Sequence, residues 1–222
     1  MRQIHKQNSP NWFEQWKANF KSTSGREPHY ADLSESDRRK LRDELVSEQG
    51  RICCYCMRRI GVDSSHIEHF KPRDPFIAED LSYVNMFASC TGQQNTMQLS
   101  FQHCDQKKNN WYNENIPKPT ETDFEKCVSY SIDGTVKPYH HTNDKKRGLE
   151  IELINNLGLN APFLVRNRFK AIEQSEIMDE LDFSEDDWRD MIKYYDEMHA
   201  GQYEEYCVAF IDIIRRDCIS RK

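Results

Sequence analysis

Apolar residues recur at helical spacing in several stretches of the chain, and alternate or cluster in only a few. Trp12, Phe13, Trp16 and Phe20 share one side of a short amphipathic helix expected over 11–21. A loop with Gly25 and Pro28 follows over 22–29. Ser34 is a good N-cap, with Glu35 and Asp37 in the first turn and Leu41, Leu45 and Val46 at helical spacing; Gly50 falls at a C′ position. Residues 51–70 change character. A Cys-rich turn and the β-branched Ile52, Ile60, Val62 and Ile67 predict a short hairpin with a knuckle. Residues 81–87 read as a helical turn or loop, 105–111 as a short helix, and 113–123, with Pro117 and Pro119, as a linker. Asp133-Gly134 marks the turn of a second hairpin over 128–137. From Asp144 onward the period is helical, broken at 155–160 and resumed around Phe163–Ile172, Met191–Tyr195 and Tyr206–Ile214. The expectation is an α+β chain, mainly helical, holding one small ββα unit. Its segments are 1–50 (helical), 51–112 (ββα core), 113–143 (linker and hairpin) and 144–222 (helical).

Composition narrows the class. The chain has 222 residues, 37% apolar and 31% charged, and its 25 aromatic residues can build a core despite the polarity. No apolar run approaches the ~20 residues of a membrane helix, and residues 1–11 lack the apolar core of a secretory signal, so a cytoplasmic protein is expected. In a reducing compartment the eight cysteines are then thiols or metal ligands. The net charge of −6 is uneven. Residues 173–205 hold 13 acids against Arg189 and Lys193, which leaves a mildly basic remainder and an acidic segment suited to solvated helix faces or docking.

Five cysteines crowd into about fifty residues. Cys53-x-x-Cys56 is the first half of a zinc knuckle, because a two-residue gap lets one turn present two thiolates to one tetrahedral ion. Cys90 and Cys104 supply a second pair, with Cys54 or His103 as substitutes. Downstream lie Glu68-His69, where a carboxylate can hold a divalent cation and an imidazole can take a proton from water. Asn85 reads as a loop asparagine. Asp105 reads as a helix N-cap or a metal ligand, and Lys107 and Lys108 as phosphate partners or solvated charges.

The order of these pieces resembles the HNH (ββα-metal) nuclease signature: Cys-x-x-Cys, Glu-His-x-x-Pro, Asn, Cys, then Cys-Asp-x-x-Lys. The resemblance implies a zinc-buttressed finger with structural Zn²⁺ on Cys53, Cys56, Cys90 and Cys104. It implies His69 as the general base, Glu68 and Asp105 as ligands of a catalytic Mg²⁺ (or Mn²⁺), and Asn85 as the residue that shapes the loop and orients His69. Lys108 matches the family's lysine after the last cysteine. Glu68, Asp105 and the long Cys90–Cys104 gap depart from the commonest pattern, with Asn109 as a reserve ligand. A narrower resemblance runs through Arg51–Cys56, Ile67–Pro72, Tyr83–Asn85, Ser89-Cys90, His103–Asp105 and Ile154–Pro162 with Arg166. It is to the PtuB HNH proteins of Septu and some retron antiphage systems. That group implies a nucleic-acid substrate, a PtuA-type ATPase partner and, in retrons, a reverse transcriptase with its DNA product. The alternative is a non-catalytic, zinc-stabilised binding module, in which Cys53, Cys56, His66 and His69 imitate a Cys₂His₂ finger.

Overall fold

The computed structural model describes residues 1–139, 142–175, 177 and 183–219. His140 and His141, expected at the surface, lie outside the described residues, as does part of the acidic segment. Helix α1 (Asn11–Ser24) and helix α2 (Glu35–Glu48) form as their patterns predict, α1 running one turn further into the expected loop. Ser34 Oγ accepts the Asp37 N–H and caps α2. Gly50 follows at φ +60°, with the Tyr203 ring packed where a Cβ would stand.

The first sheet departs from expectation. Strand β1 (Ser65–His69) does not pair with the knuckle, where Ile52 and Arg59 make only an isolated bridge. Its antiparallel partner is strand β2 (Met86–Cys90), with Ser65 opposite Cys90 and His69 opposite Met86. All five residues of β2 are buried, so no alternation of polar and apolar positions announced it. A two-stranded sheet is marginal alone. Here the side-chain amide of Gln49 pairs with both the N–H and the carbonyl of Ala88, at 2.7 and 2.8 Å, and closes the edge of β2 against α2. Helix α3 (Cys104–Lys108) then completes the ββα unit.

The expected linker is well tied down. Ile116 is buried, and the Ile4 N–H donates to the Pro119 carbonyl. The second hairpin forms as predicted from strands β3 (Val128–Tyr130) and β4 (Val136–Pro138), with Gly134 at φ +80° in the turn. Helices α4 (Asp144–Asn156), α5 (Pro162–Gln174), α6 (Glu185–Asp196) and α7 (Cys207–Ile213) follow, the last continued by a π turn over Ile214–Ile219. The Tyr194–Tyr206 aromatics pack as helix contacts: Tyr195 stacks on Phe210 at 4.4 Å, and Tyr206 is buried. One hydrophobic core draws Phe13, Leu41, Tyr55, Phe87, Leu153 and Phe210 from across the chain. Among the described residues no helix is long and apolar enough to cross a membrane.

Candidate active site and metal centre

The ββα unit carries two clusters. In the first, Sγ atoms of Cys53, Cys56, Cys90 and Cys104 lie within 4.8 Å of one another, and all four residues are buried. The knuckle supplies the first two, the end of β2 the third and the start of α3 the fourth. Cys53 and Cys104 are 3.8 Å apart, as are Cys56 and Cys90. Tetrahedral zinc with Zn–S near ~2.3 Å separates its sulfurs by roughly 3.8 Å, so the spacing fits Zn²⁺. The Cys90 N–H also donates to Cys53 Sγ at 3.3 Å. Burial acts to raise the Cys53 thiol, but hydrogen bonds from Cys104, Cys54, Cys56 and Cys90 outweigh it and hold it well below the ordinary thiol value. Neither substitute displaces a member. Cys54 lies outside the cluster, its thiol pushed far up by burial. His103 Nδ1 reaches only Cys104 and Cys90, at 3.3 and 3.6 Å.

The second cluster sits at the C-terminal end of β1. His69 is 6% exposed, and its Nε2 lies 2.9 Å from the Asp80 carbonyl. A carbonyl only accepts, so Nε2 carries the proton and Nδ1 keeps the lone pair. Burial, with the nearby Arg73 charge and against the Asp80 bond, lowers the imidazole to about 4. His69 is therefore a neutral base near pH 7. Asn85 shapes the excursion that brings Asp80 there. Its Oδ1 accepts the Lys71 N–H at 2.8 Å, and its Nδ2 donates to the carbonyls of Lys71 and Glu79 at 3.0 and 3.3 Å. Asn85 thus ties the backbone at Lys71 to that at Glu79, and its own carbonyl accepts the Phe70 N–H at 3.0 Å, next to His69.

Glu68 is buried beside it. The Tyr55 hydroxyl donates to Oε1 at 2.8 Å, and Lys108 Nζ lies 2.8 Å from the same oxygen. Oε2 has no partner among the described residues. Burial raises the Glu68 carboxyl, and the Lys108 charge opposes that rise. Lys108 is itself buried and also donates to the His69 carbonyl at 3.0 Å. It is therefore a bolt between α3 and β1, which corrects the expectation that it meets a phosphate; Lys107 beside it is exposed. Asp105 faces the cluster from α3, with Oδ2 2.8 Å from His66 Nδ1 and Oδ1 accepting the Gln106 N–H. Asn109 is exposed at φ +47°, past the end of α3.

This geometry excludes the Cys₂His₂ arrangement, because His66 faces Asp105 and His69 faces Asp80 while the knuckle pairs with two further cysteines. A Vibrio cholerae (serotype O1 biovar El Tor) protein described as "Retron Vc95 putative HNH endonuclease" is 30% identical over 163 residues, covering 70% of this chain and 77% of its own. The chain belongs to the HNH endonuclease family. No protein-family model matches it. Within the HNH frame, sequence reading missed Tyr55, His66 and Asp80. Two of these left no usable trace: Tyr55 is one aromatic inside a cysteine knuckle, and Asp80 works through its backbone. His66 left one, since it lies two residues before Glu68 and shares its face of the strand.

Proposed function

We propose that this HNH protein is a metal-dependent endonuclease that hydrolyses phosphodiester bonds in DNA or RNA. The observation that carries the reading is the pairing of two adjacent residues. His69 is buried, neutral and fixed with Nδ1 as its acceptor. Glu68 beside it has one oxygen fully engaged and the other unclaimed. His69 Nδ1 takes a proton from a water in line with the scissile phosphorus, the O–P bond forms, and the 3′-oxygen departs and is protonated by solvent. Asn85 and Asp80 keep the imidazole in the required tautomer. Tyr55 and Lys108 both hold Glu68 through Oε1.

Glu68 and Asp105 are the residues that would hold Mg²⁺ or Mn²⁺. Two carboxylates suit a hard cation that keeps several waters and takes its remaining contacts from phosphate. Such a cation supplies Lewis-acid stabilisation of charge on the phosphate and the departing oxygen. External water as nucleophile needs no 2′-hydroxyl, so both DNA and RNA, tRNA included, are candidate substrates. The exposed Lys107 is available to the backbone.

The setting we infer is antiphage defence, with the chain as a toxic effector alongside a PtuA-type ATPase. The retron in the relative's description supports a reverse transcriptase and its DNA product as further company. A modest basic surface outside the acidic segment accords with a nuclease that depends on a partner for nucleic-acid contacts and works in the cytoplasm. The test is incubation of the chain with plasmid DNA and total RNA in Mg²⁺ or Mn²⁺, with and without the ATPase, against EDTA. Metal-dependent cleavage of either substrate supports the reading. No cleavage under any of these conditions overturns it and favours the binding module.

A further inference from the structure

Tyr30 is an anchored ring beside the proposed base. Its N–H donates to Oδ2 of the buried Asp80 at 2.9 Å, and Arg38 donates to its carbonyl at 3.4 Å. The same Asp80 holds His69 through its carbonyl. The His69 imidazole stands perpendicular to the Tyr30 ring, with centroids 4.9 Å apart. Over that ring, 4.7 Å from its centroid, lies the guanidinium of Arg73. One aromatic ring therefore sets both the base and a cation in place.

Other cations near the site are committed. Lys108 pairs with Glu68 and Lys71 with Glu79, while Arg38, whose guanidinium also lies over the Tyr30 ring at 5.2 Å, donates to the carbonyls of Tyr30 and Ala31. Arg73 is exposed and has no carboxylate partner among the described residues, whereas Arg26, Arg39 and Arg189 each pair with an acid. A planar guanidinium matches two phosphate oxygens at once, and stacking on a ring fixes its plane before substrate arrives. The ring that Arg73 covers is the one that the His69 imidazole meets edge-on.

We propose that Arg73 is a catalytic residue, its guanidinium clamping the non-bridging oxygens of the scissile phosphodiester, with Tyr30 positioning it relative to His69. The inference rests on the nuclease reading and adds to it the group that meets the charge developing on phosphate.

The test compares wild type, Arg73→Ala and Arg73→Lys in single-turnover cleavage of whichever substrate, plasmid DNA or total RNA, the wild type cuts. Binding of the same substrate is measured in Ca²⁺ without Mg²⁺ or Mn²⁺, on protein whose zinc content is unchanged. Arg73→Ala should slow cleavage by roughly 10²-fold, the scale for losing one oxyanion-hole donor. Binding should change by only a few-fold. Arg73→Lys should recover part of the rate, having the charge without the fork. Equal cleavage by wild type and Arg73→Ala removes this assignment and leaves the nuclease reading standing. A loss confined to binding, with the single-turnover rate intact at saturation, also removes it. A wild type that cuts neither substrate removes the nuclease reading and this assignment together.

Discussion

The two clusters of the ββα unit are built on opposite plans. The cysteine centre is closed: four like ligands, all buried, at the spacing one tetrahedral ion requires. The His69 centre is open. Glu68 and Asp105 each meet a basic partner, Lys108 and His66, and Glu68 keeps a free oxygen. A structural metal site fills its coordination with protein, while a catalytic one leaves positions for water and substrate. The contrast teaches that the first cluster specifies the finger and the second relies on it, since Cys90 and Cys104 sit at the ends of the elements that carry Asp105 and the partner of β1.

The contrast can be broken in order of expected effect. Cys53→Ser should abolish zinc binding and unfold the finger, because structural zinc contributes apparent free energies of ~10–16 kcal/mol in zinc-finger peptides. Zinc analysis with a thermal melt reads this; a variant that keeps zinc and its Tm would show that the cluster is not the fold's anchor. His69→Ala should lower the cleavage rate by roughly 10²–10⁴-fold, the range for general bases.

Glu68→Gln should destabilise the fold by about 3–5 kcal/mol, because it strands Lys108 as a buried charge. Adding Lys108→Met should restore much of that loss in denaturant unfolding. An additive penalty in the double variant would show that the pair is not coupled.

Acid sharpens the comparison further. Burial holds folded His69 at about 4, below its usual ~6.5, so the unfolded chain binds the extra proton first. Stability contributed by neutral His69 is present above pH ~6.5 and is lost as pH falls toward about 4, by an amount of order 3 kcal/mol. Unfolding midpoints that stay flat across that window would contradict the burial. The smallest effect is that of Tyr55→Phe, which removes one hydrogen bond to Glu68 and should cost about 1–3 kcal/mol. Calorimetry reads this change, and zinc content should not move.

Some of this was legible in the sequence and some was not. The four cysteines could be grouped because metal ligation constrains residue type and local spacing, and Cys90 joined them although it lies far from Cys104 in the chain. Helices α1, α2, α4, α5, α6 and α7 declared themselves through their period, and α2 through its caps as well. Strand β2 did not, since a strand buried on both faces has no alternation to read. That error carried β1 to the wrong partner. Lys108 was misplaced for a related reason: a lysine in a basic run looks solvated until tertiary structure provides a buried carboxylate, and Glu68 is forty residues away. Tyr30, Asp80 and Arg73 belong to a constellation made of ring faces and a backbone carbonyl, for which sequence offers no spacing rule.

The central claim is that one finger holds two separable centres, zinc for structure and His69 for hydrolysis. Zinc content and single-turnover cleavage, measured on the same preparations of wild type and His69→Ala, test it most directly. The account predicts equal zinc in both proteins and cleavage only in the wild type. Zinc that leaves with His69, or cleavage undiminished by its loss, would contradict it.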